Sequence, residues 1–414
     1  MDLLLRYSAV RFPKAHPCRP FDQPPRRRCF TVRLSSRLPF SEQKAKYYKD
    51  LEAAVDVVER ACRLCVDVKK SLLSSDGVGQ ILEKNDQTPV TVADFGVQAL
   101  VSLEMGRLFP SIPLVAEEDS ASLRANNLVD PVVDVVTTKE TFGDKLTEED
   151  VLRAIDRGGK DAYTFGPSPA TYWVLDPIDG TRGFVKGGDA LYVVGLALVV
   201  EGQIVLGVMG CPNWKEYNSD NSSAGYKDYE KTPMTSGIIM VSHLGCGTWR
   251  KRLWNTQSGE LSNNWTRCSV DECQLVQDAS FCIPESQTWE LIPLSALFNA
   301  KNQAEKVGDR DILLLSACCG SLCKYLMVAS GRASVFIIHV KTGKLIRAWD
   351  HAVGVICIHE AGGKVSDWRG SDIDFAEDEV ERRLIFPSGG ILVTNQSLHK
   401  DILGMISSSS SLVY

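Results

Sequence analysis

The stretch WVLDPIDGTRGF, Trp173 to Phe184, constrains the fold more than any other part of the chain. Trp173, Val174 and Leu175 read as the end of a buried strand. Pro177 fixes φ and turns the chain, so Asp176 stands at a strand tip and Asp179 follows in the same turn. Two carboxylates on one tight turn repel each other unless a cation lies between them. Gly180-Thr181 can then open a helix whose N–H groups face an anion. Such a segment needs a strand and a helix that meet at a wet corner shared by metal and phosphate.

Three more acids fit that corner. Ile112 to Ala116 read as a short apolar strand ending in Glu117, Glu118 and Asp119, with Glu117 the first choice for the site. Asp350, in Trp349 to Gly354, falls where the N-cap or first-turn acid of a helix would sit. Thr91 to Asp94 lead into a helix-like stretch from Phe95 to Leu108. Hard oxygen donors on separate rigid elements suit magnesium, which keeps several waters. Zinc would want His and Cys.

Five strings in order, DQTPVTVADF from Asp86, VAEED from Val115, LDPIDGTRGF from Leu175, WDHAVG from Trp349 and HEAGGKVSD from His359, carry a resemblance to a known superfamily. The chain resembles, from about Glu52 to Gly404, the lithium-sensitive, magnesium-dependent phosphatases: inositol monophosphatases, fructose bisphosphatases and 3′(2′),5′-bisphosphate nucleotidases. Gly207 to Asn213 and the pair Lys324-Tyr325 bring it nearest to the bisphosphate nucleotidases of plants and yeast. The resemblance implies a layered αβαβα sandwich. It makes Glu117, Asp176, Asp179 and Asp350 side-chain metal ligands, Ile178 a ligand through its carbonyl, and two or three Mg²⁺ ions the cofactor. Asp94 would hydrogen-bond Thr181, the pair activating a water for in-line attack on phosphorus. Thr181, Ser321, Lys324 and Asp350 would contact substrate. The implied reaction removes the 3′-phosphate of 3′-phosphoadenosine 5′-phosphate to give AMP, with inhibition by lithium.

The substrate region departs from the nucleotidase pattern. Gly320 stands where an Asp-Ser-Gln-x-Lys-Tyr string begins, and Ile338, in VFIIH from Val335 to His339, stands where an Arg is expected. The local string around Gly320-Ser321 looks closer to the inositol monophosphatase version, so an inositol phosphate is the alternative substrate. Gly320→Asp with Ile338→Arg is expected to lower KM for the bisphosphate.

Alternating strand and helix patterns argue for an α/β class, with an α+β N-terminal domain over 42–225 and an α/β C-terminal domain over 226–406 that holds Asp350. The boundary is placed in the Ser-, Asn- and Asp-rich stretch Asn213 to Gly237. Residues 407–414 read as a flexible tail. Lys plus Arg total 46 against 52 Asp plus Glu, a net charge of −6 that offers no global field for nucleic acid or an anionic membrane. No run of about eighteen apolar residues predicts a transmembrane helix. The resemblance implies a small phosphorylated nucleotide as the partner.

Residues 1–41 read as a transit peptide or disordered arm: Asp2 and Asp22 are its only acids, against eight arginines. Arg28-Cys29-Phe30 before Thr31 resembles a mitochondrial processing site, with a chloroplast address the alternative. Of the thirteen cysteines, Cys62 and Cys65 fall on the apolar face of a helix spanning about Glu42 to Leu73 and read as core. Cys211, Cys246, Cys268, Cys273 and Cys282 fall in a region read as loop-rich, where a disulfide has low prior.

Overall fold

Seven strands form one sheet and six another, and the residues on their faces say what lies between them. The computed structural model describes residues 37–73, 81–83, 89–139, 146–168, 170–188, 190–215, 237–254, 264–296, 298–302, 311–315, 320–341 and 343–410. In the seven-stranded sheet the order is Leu114–Ala116, Thr171–Asp179, Val193–Val200, Gln203–Cys211, Ile238–His243, Gly247–Arg252 and Thr266–Arg267. Only its first pair is parallel. In the six-stranded sheet Asn299–Asn302, Asp311–Leu315, Ser280–Cys282 and Val335–His339 run parallel, and Gly390–Asn395 and Gly363–Asp367 complete it.

Strand residues alternate between faces, and the cores follow that period. Trp173, Leu175, Leu196, Leu198 and Val208 pack beneath the long helices Tyr48–Leu73 and Val92–Leu108. Their neighbours Val174, Ala197, Val199 and Met209 face the helices Leu322–Ala329 and Ala352–Glu360. Those helices also cover Phe336, Ile338, Ile391 and Val393 of the six-stranded sheet. Ile337 and Leu392, pointing the other way, meet Leu398, Ile402 and Ile406 of the helix Gln396–Ser410. Helices, sheet, helices, sheet and helix therefore stack as the expected αβαβα sandwich of the α/β class.

Several expectations meet the structure at their edges. The hairpin joining Val193–Val200 to Gln203–Cys211 turns on Glu201 and Gly202 alone, at φ 52 and 82, so Gln203 is already strand. The flexible tail is corrected: helix continues through Ser410, with the Ser407, Ser408 and Ser409 hydroxyls donating to carbonyls four residues back. Its buried Leu398, Ile402 and Ile406 explain this, since a buried Leu or Ile contributes about 1.5–3 kcal/mol against about 1–2 kcal/mol to fix a residue's backbone. Residues 411–414 lie outside the described residues. The N-terminal arm is shorter than expected, because Leu38 is buried, Arg37 pairs with Asp56 at 2.9 Å and Phe40 meets the ring of Tyr48. Residues 1–36 lie outside the described residues.

The boundary at 225/226 also lies outside them. The strands on either side of it, Gln203–Cys211 and Ile238–His243, pair in one sheet, and the change of sheet falls between Arg267 and Ser280. Cys62 and Cys65 are fully buried as core. Cys211 and Cys282 sit on strands rather than loops, and all the described cysteines are free thiols. Among the described residues no helix is long and apolar enough to cross a membrane.

Candidate active site

Strand Thr171–Asp179 delivers two acids to one corner because its pairing breaks there. Its register with the neighbouring strand shifts between Asp176 and Asp179, a bulge at Pro177-Ile178 that sends both carboxylates toward the cleft. Gly180, at φ 89 and ψ 38, makes the turn into helix Thr181–Lys186. Asp179 then locks onto the other half of the molecule. Its Oδ1 accepts from the Ser321 N–H at 2.9 Å and its Oδ2 from the Leu322 N–H at 2.7 Å. A Cβ on Gly320 would stand 2.1 Å from Asp179 Oδ2, and Gly320 has φ 59, so any other residue here is strained and displaces the Asp179 carboxylate. The expectation that Gly320→Asp would restore a substrate contact is thereby corrected.

Asp94 is held at the start of helix Val92–Leu108 by a capping box. Its Oδ2 accepts from the Thr91 N–H at 2.7 Å and the Thr91 hydroxyl at 2.6 Å. The Oδ1 is left for Thr181, whose hydroxyl lies 3.1 Å away and also 3.0 Å from the Ile178 carbonyl. One hydroxyl proton serves two acceptors, so Thr181 is free to present a lone pair into the cleft.

Strand Leu114–Ala116 runs parallel to Thr171–Asp179 with Ala116 opposite Leu175, which carries Glu117 alongside Asp176. Gln98 fixes the turn after it, exchanging hydrogen bonds with the Glu118 backbone at 2.9 and 2.6 Å. Asp350 arrives just before helix Ala352–Glu360, and carboxylate oxygens of Asp176, Asp179 and Asp350 lie within 4.8 Å of one another. Burial, followed by the charges of Glu117, Asp179 and Asp350, pushes the Asp176 carboxyl well above the usual range. Asp350 is raised by burial, then by Asp179 and Glu117. Asp179 is pushed up to about 6 by burial, against the pull of Lys324 and the backbone N–H groups.

A divalent ion fits this set. Asp176 Oδ1 is buried with no hydrogen-bond partner among the described residues, and the donors are hard oxygens from separate elements. Asp176, Asp179, Asp350 and Glu117 would hold it, with the Ile178 carbonyl beside them.

The cleft, about 320 Å³, is walled by Asp179, Thr181, Ser321, Lys324 and Asp350 on the acidic side. Pro284, Ile338, Lys344 and Leu345 line it as well. Lys324 is buried, its ammonium donating to the Gly320 carbonyl at 2.7 Å, so it braces the glycine turn. Two features escaped the sequence reading. His351, buried next to Asp350, has Nδ1 3.0 Å from the Tyr325 hydroxyl, and burial pushes its imidazole down to about 3, which keeps it neutral. The Asp-His-Ala-Val-Gly string was its only sign. Lys344 and Leu345 come from an exposed turn without periodicity, and nothing local marks them.

The inositol monophosphatase family matches residues 47–411 of this chain. A protein of Arabidopsis thaliana with a provisional name, mitochondrial 3′(2′),5′-bisphosphate nucleotidase, is 61% identical over 414 residues, covering 99% of this chain and 98% of that one. A 3′(2′),5′-bisphosphate nucleotidase of Oryza sativa is 34% identical over 367 residues, 86% of this chain and 93% of its own. Among solved structures, a Thermotoga maritima IMPase superposes with a TM-score of 0.52 at 17% identity, over 88% of this chain and all of its own, a likeness of fold. By its matching strings, its five layers and these relatives, the chain belongs to the inositol monophosphatase family.

Proposed function

We propose that the protein is a magnesium-dependent phosphomonoesterase that removes the 3′-phosphate of 3′-phosphoadenosine 5′-phosphate, giving AMP and inorganic phosphate. The observation that carries the chemistry is the Asp94–Thr181 contact beside three converging carboxylates. The substrate class is supported by the names of the relatives, which are bisphosphate nucleotidases.

Bound magnesium would neutralise the phosphate and lower the pKa of a nearby water, the chemistry that makes a covalent phosphoenzyme unnecessary. Two or three ions would be held by Glu117, Asp176, Asp179 and Asp350, with the carbonyl of Ile178. Asp94 acts as the base. Its Oδ2 is occupied by Thr91, so only Oδ1 can take charge of Thr181, and through that hydroxyl the proton of the attacking water passes to Asp94. Ser321 and Lys324 hold the glycine turn that keeps Asp179 aimed at the corner, and both line the cleft where substrate sits. Lithium inhibits by competing for one ion position, and the arginine-rich first 41 residues address the protein to the mitochondrion.

Phosphate release over a panel of 3′,5′-bisphosphate nucleotides, 3′-monophosphates and inositol phosphates tests the reading. The bisphosphate should give the highest kcat/KM, with magnesium required. An inositol monophosphate preferred by a wide margin would sink the nucleotidase assignment and leave the metal chemistry standing.

A further inference from the structure

Charge in the cleft is unevenly distributed. Asp179 and Asp350 crowd one end, where the scissile phosphate must lie, and three cations, Arg182, Lys324 and Lys344, also line the cavity. Lys324 is committed to the Gly320 carbonyl and acts on Asp179. Arg182 stands in the first turn of its helix, next to Thr181 and the scissile end, and has partners of its own. Lys344 differs from both: it is exposed, and it enters no ion pair among the described residues. It lines the same cleft as His351, the neighbour of Asp350.

The backbone holds it there. Lys344 closes a turn in which its N–H donates to the Lys341 carbonyl at 3.0 Å, with Gly343 at φ 81. Two residues on, buried Ile346 anchors strand Ile346–Arg347 against Leu384–Ile385. Extending that register by one step sets Leu345, 56% exposed, opposite Phe386, 51% exposed. Leu345 and Ile338 line the cleft and give this wall an apolar surface beside the Lys344 cation. A nucleotide with one phosphate would leave this cation unused.

We infer that Lys344 determines specificity by taking the second phosphate of a 3′,5′-bisphosphate nucleotide, while Ile338 and Leu345 cover its sugar and base. This rests on the nucleotidase reading above and adds to it which residue of this chain recognises the bisphosphate.

The test compares adenosine 3′,5′-bisphosphate with adenosine 3′-monophosphate in the full-length protein with magnesium. For Lys344→Ala the bisphosphate-to-monophosphate ratio of kcat/KM should fall by about 10- to 100-fold, the range for one charge-assisted hydrogen bond. The loss should sit in the bisphosphate KM with kcat nearly constant, because the contact lies away from the reacting atoms. Lys344→Arg should recover most of the ratio, and Lys341→Ala, one turn earlier, should leave it unchanged. An equal loss on both substrates, or a loss confined to kcat, overturns the assignment of Lys344. A wild-type enzyme that turns over inositol monophosphate and ignores the bisphosphate overturns the nucleotidase reading itself, and this inference with it.

Discussion

At the acidic end of the cleft, side chains are clamped by hydrogen bonds to backbone and buried groups. Asp94 is gripped by its capping box, and Asp179 accepts two backbone N–H groups from across the molecule. Gly320 is held at φ 59 so that those N–H groups can come close. At the far wall, Lys344 and Leu345 are exposed residues of a turn that lines the cleft, and Ile338 offers only apolar surface. The first region is preorganised for charge; the second is held by its backbone alone, with its side chains exposed. On the proposed function, chemistry would depend on the rigid end, where a misplaced carboxylate would lose the ion, and the far wall would adjust affinity for whatever the phosphate is attached to.

The strongest way to break this contrast is Asp179→Ala. It removes a proposed ion ligand and the acceptor that ties Ser321 and Leu322 to the corner, so kcat/KM should fall by about 10³-fold or more, with a changed magnesium dependence. A variant with wild-type magnesium titration would show that Asp179 is structural only. Asp94→Asn comes next, at about 10²- to 10⁴-fold in kcat. The Asn oxygen must stay with the two Thr91 donors, so its NH₂ faces Thr181 and reverses that hydrogen bond. Magnesium affinity, read by calorimetry, should stay near wild type.

The rigid end should also reveal itself without catalysis. Asp176, Asp179 and Asp350 all titrate above the ordinary carboxylate range, so between about 4 and 6 the folded protein binds more protons than the unfolded chain. Stability of the metal-free protein should therefore fall as pH rises through that window. Magnesium should cancel the loss at neutral pH, and melting curves with chelator or magnesium at several pH values would show it. A metal-free protein that gains stability over that range contradicts the picture.

Gly320→Asp is the smallest and the most diagnostic. The left-handed backbone costs an L-residue about 1–2 kcal/mol, and the new Cβ collides with Asp179 Oδ2. Melting should drop by a few degrees and activity should fall with no improvement in KM. An improved KM would mean that the turn can be rebuilt and that the far wall alone decides binding.

The fold was legible where pattern and chemistry coincide. Asp176-Pro177-Ile178-Asp179-Gly180-Thr181 announces a strand end, a turn and a helix in succession, and Trp173 to Leu175 read as buried strand, which the structure places between two cores. The helix that runs through Ser410 was not legible, since its serines look like a tail until Ile402 and Ile406 find a sheet to cover. Nor was the reason for Gly320. A glycine in an expected Asp position reads as a lost contact, and only the 2.1 Å approach to Asp179 shows that the backbone itself needs the space.

By itself the sequence determined which acids are available and which elements carry them, because strand tips, capping boxes and turns are written in consecutive residues. The tertiary structure alone decided which of them meet. Asp94, Asp179 and Asp350 are separated by scores of residues, and a hydrogen bond from Ser321 to Asp179 spans 142 positions. Distances between such groups are set by how the two sheets pack on the helices between them, and no local propensity encodes that. The same packing brings Lys344 to the mouth of a cleft whose floor was built more than a hundred residues earlier.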